Sequence, residues 1–141
     1  MTINPTQKIS KYFTWNEALW LNEWDRLATE EDGLNQIIID NIIMHAKKMD
    51  ILRDWFNLPI KIRSWYRPKK YNIFIGGAEK SSHMLGFGTD WDNGMDCDIV
   101  RKNIVDNKLL EKLELRCEDK PKSDWVHTDS SKVIKKRYFK P

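Results

Sequence analysis

Three residues that can meet only through the fold constrain this chain most: His83, Asp90 and, well downstream, His127. Two imidazoles and a carboxylate are the usual protein ligands of a catalytic zinc. Zinc held this way keeps a fourth position open for water and lowers that water's pKa to about 7. The run Ser81-Ser82-His83-Met84-Leu85-Gly86-Phe87-Gly88-Thr89-Asp90 carries the first two, and Asp124-Trp125-Val126-His127 the third. Asp124 adds a second carboxylate that could take the water's proton and return it to a leaving amine. Gly86 and Gly88 are poor strand formers unless another backbone or a ligand comes close. Between His83 and Asp90 they suit the approach to a strand that presents Asp90. Each piece alone has a plainer reading, since histidines also pack cores and sit on surfaces, and such clusters stay hypotheses until geometry joins them.

The coarse pattern is α+β, a small antiparallel sheet with flanking helices in a single domain over 1–141. Thr14-Trp15-Asn16-Glu17 is a capping box and predicts a short helix through about Trp24. Leu34 to Phe56 carries Ile38, Ile42, Met49 and Leu52 near helical spacing and stops before Asn57-Leu58-Pro59. Ile60 to Trp65 alternates as a strand, which places Arg63 with Lys61 on its polar face. Gly86 to Trp91 reads as a second strand and Ile99 to Leu113 as an amphipathic helix. Leu115 to Glu118 and Val126 to Asp129 complete a sheet that carries the site on one face. No repeat, low-complexity segment or linker interrupts the chain.

After Asp90 the chain offers Asp92, Asp96 and Asp98. Calcium is one reading of this run, but Gly94 stands at the fifth place from Asp90 and an EF-hand loop needs glycine at the sixth. A solvated turn followed by Asp98 as a helix cap is the preferred account.

At these motifs the chain resembles the zinc peptidases that cut D-alanyl-D-alanine or L-alanyl-D-glutamate bonds in peptidoglycan and share a Hedgehog-like fold. Their pattern S-x-H-x-x-G-x-A-x-D reads here as Ser81, His83, Gly86, Gly88 and Asp90, with Gly88 in place of the usual alanine. Asn72 to Ala78 resembles the family's N-x-x-I-G-G-A approach, Ile62 to Arg67 its I-x-S-x-Y-R strand end, and Asp124 with His127 its acidic-x-x-His element. The resemblance runs from about Lys11 to Asp129. It implies that His83, Asp90 and His127 bind zinc and that Asp124 is the catalytic base. It also implies that Arg67 binds a substrate carboxylate or steadies an oxyanion. Such a role suits a guanidinium, which is always charged and grips carboxylates through paired hydrogen bonds. Without the motif, Arg67 before Pro68 reads as a surface turn residue. A second register, with Asp98 as ligand, requires an insertion after His83, whereas Asp90 fits with none.

Composition agrees with a small catalytic domain. At 141 residues the chain can bury a core without disulfides, and its two cysteines, Cys97 and Cys117, lack metal-ligand spacing. Buried free thiols are expected. The first 13 residues hold no apolar run, so neither a signal peptide nor a membrane span is expected. That implies a phage lysin held in the host cytoplasm until lysis, or a virion component, acting on the cell wall. Net charge is +3, from 24 basic against 21 acidic residues, which favours encounter with an anionic wall and is too balanced for nucleic acid to lead. A monomer is expected. Seven tryptophans are many for this length; most belong in the core, with Trp65, Trp91 and Trp125 placed by the motifs to line a cleft. The reading is a zinc-dependent peptidase on peptidoglycan stem peptides, either an L-alanyl-D-glutamate endopeptidase or a D-alanyl-D-alanine carboxypeptidase. Its rival is a non-catalytic wall-binding zinc module. Asp124 and Arg67 favour the enzyme, since neither is needed merely to hold a structural zinc.

Overall fold

Thr14 opens the first helix as its sequence predicts. Its hydroxyl accepts from the Glu17 amide, and the Glu17 carboxylate accepts from the Thr14 amide at 3.0 Å. The computed structural model, which describes residues 2–141, ends that helix early: α1 is Trp15–Leu19. Trp20–Leu21 (β1) then pairs antiparallel with Arg26–Leu27 (β2). The hairpin turns through Asp25 at φ 50, a left-handed conformation that aspartate tolerates better than most side chains. Pairing completely buries Leu21, so tertiary packing overrides the helical continuation to Trp24.

The long helix α2 spans Gln36–Phe56, capped by Asn35, whose side chain accepts from the Ile38 amide at 3.0 Å. It ends on Asn57 in the left-handed region. Its buried face is Ile39, Ile42, His45, Ala46, Met49 and Leu52, at the three-and-four spacing of one helical stripe. β3 (Lys61–Ser64) follows, with Lys61 and Arg63 exposed as the alternation predicts. After α3 (Lys69–Phe74) and a short 3₁₀ turn over Ser82–Leu85 comes β4 (Gly88–Asp92).

The next segment departs from expectation twice. α4 (Cys97–Asp106) is capped by Asp96, not Asp98: Asp96 Oδ1 accepts from the amides of Asp98 and Ile99 at 2.9 and 3.1 Å. Asp98, in the first turn, instead accepts from the Lys122 amide at 2.9 Å and from Arg101. The single helix expected to Leu113 is also broken. Lys108 takes φ 55, and a separate helix α5 covers Leu109–Leu113. At roughly 100° per residue a continuous helix would turn Leu109 about 140° away from Ile104; the break buries Ile104, Leu109 and Leu110 together.

β5 (Arg116–Glu118), β6 (Val126–Asp129) and β7 (Tyr138–Phe139) complete a five-stranded sheet of order β3-β4-β6-β5-β7. Pairing is antiparallel except between β5 and β7, which run parallel; β7 is an addition to the strands the sequence predicts. The register sets Ser64 opposite Asp90, Asp90 opposite His127, and Arg116 opposite Asp129. Alternation then divides the sheet into two faces. Thr89, Trp91, Val126 and Thr128 face inward, where His45 Nε2 lies 3.0 Å from Thr89 Oγ1 and Trp91 Nε1 donates to Thr128 Oγ1 at 3.0 Å. Burial pulls the pKa of His45 down to about 3, so this third histidine is a neutral core residue. Asp90, His127, Asp129 and Arg116 occupy the other face.

Trp65 and Trp91 are fully buried, so of the three tryptophans expected at the cleft only Trp125 reaches it. The difference is one of strand parity: Trp91 alternates with Asp90 and turns into the core. Cys97 and Cys117 are buried free thiols, as expected. Among the described residues no helix is long and apolar enough to cross a membrane.

Candidate metal centre

His83 sits in the 3₁₀ turn, where Ser81 Oγ accepts from the His83 amide at 3.2 Å and Gly86, at φ 83, closes the turn. His83 Nδ1 lies 2.7 Å from the Trp65 carbonyl oxygen. A carbonyl can only accept, so the ring proton is on Nδ1 and the Nε2 lone pair points away. That Nε2 is 3.2 Å from Asp90 Oδ1, and His127 Nδ1 is 2.8 Å from the same oxygen. Asp90 and His127 owe their meeting to the β4–β6 register. One ligand atom from each of His83, Asp90 and His127 falls within 4.8 Å of the others.

The remaining atoms of the trio are held from outside. Asp90 Oδ2 accepts from Arg67 Nη2 at 3.1 Å, and Arg67 Nε donates to Ser64 Oγ at 2.9 Å. His127 Nε2 lies 2.8 Å from Asp129 Oδ2. Burial lowers the pKa of His83. Burial alone would raise Asp90, but His83 and His127 hold its carboxyl well below the usual range. At His127 burial opposes the charge, yet hydrogen bonds to Asp129 and Asp90 push the pKa up to about 9. Buried carboxylates thus draw a positive charge to this point, and a dication can take the proton's place.

The donor set fits zinc. It offers two nitrogens and one oxygen on one side only, and the other ring nitrogens are already satisfied. Ligands about 2.0–2.2 Å from a tetrahedral zinc stand roughly 3.3–3.6 Å apart. The 3.2 and 2.8 Å approaches to Asp90 Oδ1 need only small adjustment.

Gly88 explains how close the second segment comes. A Cβ built there would stand 2.3 Å from Ser82 Oγ and 3.0 Å from the His83 amide nitrogen. The Ser82 hydroxyl occupies the room that an alanine methyl would take. Gly88→Ala is therefore expected to destabilise the protein by about 1–3 kcal/mol, as overpacking does. Gly88→Ala combined with Ser82→Gly should recover most of that loss, which thermal unfolding of the two variants checks. An unchanged melting temperature for Gly88→Ala would refute the close-packing account.

The trio opens on a cavity of about 570 Å³ walled by Lys80, Arg116, Glu118, Lys120 and Trp125. A second hollow, of about 550 Å³, is walled by Asn22, Arg63, Tyr71 and Phe74. Both include Arg67, Ile75, Asp90 and Trp125, so they meet beside Asp90. Arg67 is half-buried at this junction, not on a surface turn. Arg63 lies in the second hollow and pairs with Asp92 at 2.7 Å. Asp124 stands on the exposed turn before β6 and lines a separate hollow of about 390 Å³ with Asp92, Asp96, Asp98 and Lys122.

Two residues at this centre had gone unmarked in the sequence, Asp129 and Arg116. The available signal was parity: Asp129 is two places after His127 on one strand and shares its face. Comparison with known proteins decides the family. The sequence model of the peptidase M15 family matches residues 13–129. The chain belongs to this family. The matched stretch contains Arg67, His83, Asp90, Asp124 and His127 and ends before β7. As an M15 peptidase the protein is a zinc-dependent metallopeptidase, with His83, Asp90 and His127 as a possible metal-binding group. No curated protein and no solved structure matches the chain.

Proposed function

We propose that this M15 peptidase hydrolyses an amide bond inside peptidoglycan stem peptides, as an L-alanyl-D-glutamate endopeptidase of the phage-lysin type. The observation that carries the reading is the pair of hollows meeting at Asp90 and Arg67. An endopeptidase must seat chain on both sides of the reacting carbonyl, whereas a carboxypeptidase needs one side only for a single terminal residue. Lys80 and Lys120 on the wall suit carboxylates on a substrate, Arg116 being already paired with Asp129.

His83, Asp90 and His127 would hold zinc, which supplies Lewis acidity toward a carbonyl oxygen and acidifies a water. Arg67, fixed by Ser64 and Asp90, places a permanent positive charge where the carbonyl oxygen gains negative charge. Asp124 takes the proton of the attacking water and delivers it to the departing amine. Its exposed turn adjoins Trp125, which lines both hollows, and catalytic hydrogen bonds commonly tighten only once substrate is bound.

Mass spectrometry of purified muropeptides after incubation with the zinc-loaded protein tests the substrate. Separation of L-alanine from D-glutamate is the expected result. Loss of one terminal D-alanine would replace the endopeptidase with a carboxypeptidase, and an intact muropeptide would overturn both.

A further inference from the structure

We propose that Asp129 is a positioning residue: it fixes His127 as a metal ligand through Nδ1, and Arg116 and Phe139 hold it in place. The inference rests on the assignment of His127 to the metal centre and extends it to residues that no comparison marks.

An imidazole offers either nitrogen to a metal, and the proton on the other nitrogen decides which. At His127 the Nδ1 atom faces Asp90 Oδ1 at 2.8 Å and therefore the ligand centre. Nε2 faces Asp129 Oδ2 at 2.8 Å, and an ionised carboxylate can only accept. With the proton held on Nε2, the lone pair is left on Nδ1. Ser82 Oγ, the other group near Nε2, is farther away at 3.4 Å and can serve as donor or acceptor, so it does not set the tautomer.

Asp129 is itself unusually well held. It is fully buried. Its Oδ1 accepts from Arg116 Nε at 2.8 Å and from the Ser131 amide at 3.0 Å, while Oδ2 accepts from Arg116 Nη2 at 3.0 Å. This two-pronged grip fixes the plane of the carboxylate and balances a charge that would be costly to bury alone. The Arg116 guanidinium lies 4.1 Å above the centre of the Phe139 ring, whose centroid is 6.2 Å from that of the nearly perpendicular His127 ring. Phe139 belongs to β7, which lies beyond the residues the family model matches. Asp129 is not a fourth ligand: the His127 ring stands between it and Asp90, and Arg116 occupies both of its oxygens.

The test is zinc affinity, by competition with a chromophoric chelator, for the parent, Asp129→Asn, Asp129→Ala and His127→Ala. Asp129→Asn keeps the side chain's shape and removes its charge, and its zinc dissociation constant should rise roughly 10–100-fold, as when the outer partner of a ligand histidine is lost. Asp129→Ala should lose at least as much, and His127→Ala should lose zinc altogether. In the parent protein loaded with cadmium, ¹⁵N spectra should show metal coupling at His127 Nδ1 and a proton on Nε2. A purely structural ion pair would lower the melting temperature without moving the affinity of the folded protein or the tautomer. A folded Asp129→Asn protein with parent affinity, or metal coupling at Nε2, would overturn the proposal. If neither Asp129 variant folds, the parent spectrum alone decides. Retention of zinc by His127→Ala would instead refute the metal centre itself, so the two failures are distinct.

Discussion

Alanine at His83, Asp90 or His127 is expected to strip the protein of zinc and abolish hydrolysis. Three ligands leave no redundancy: removing one leaves two, too few to hold a divalent ion against water or a chelator. The three losses differ in their cost to the fold. His83→Ala leaves the buried Trp65 carbonyl without its partner, a penalty of about 1–3 kcal/mol. Asp90→Ala removes the carboxylate partner of Arg67 and leaves Ser64 Oγ as its remaining side-chain acceptor, a larger loss than at His83 but below the ~3–5 kcal/mol of an uncompensated buried charge. Asp90→Asn is the cleaner variant, since it keeps an oxygen for Arg67. Metal analysis of each dialysed, folded variant checks the assignment, and full zinc content in all three alanine variants would sink it.

Asp124→Asn should separate chemistry from metal binding. The substitution leaves His83, Asp90 and His127 untouched, so zinc content should match the parent. Hydrolysis should fall by at least ~10²-fold, the contribution of a positioned acid/base group. Asp124 lines a different hollow from the ligand trio, so if its role were confined to the turn, only stability would change. A folded, zinc-loaded Asp124→Asn protein working at the parent rate would dismiss Asp124 as the base. Glu118 would then be the next carboxylate to test, because it lines the metal cavity directly.

Features that follow local rules were legible in the sequence. The capping box at Thr14, the apolar stripe of α2, the alternation of β3 and the spacing from His83 to Asp90 each appear where the pattern puts them. What was not legible depended on tertiary competition. Trp20 and Leu21 leave the helix because pairing with Arg26 and Leu27 buries Leu21. Lys108 accepts a left-handed backbone because the break lets Leu109 and Leu110 join Ile104 in the core. Asp96 displaced Asp98 as the cap of α4; with aspartates at both places, composition alone gives no ground for choosing between them. At the candidate metal centre, the motif singled out the three residues that the fold brings together, His83, Asp90 and His127. The Asp129–Arg116 pair was not, because it is created by the register of β5 on β6.

The residues that would hold the metal and those that wall the hollows are built on different kinds of backbone. Asp90 and His127 stand opposite each other inside the paired strands β4 and β6, where shifting either by one place would turn it into the core. Ile75, Lys80, Lys120 and Trp125 lie outside strands, on connecting segments. Connecting segments tolerate substitution and insertion far better than a ladder does. New substrate preferences can therefore arise, by evolution or by engineering, through changes at the rim that leave the reactive centre intact.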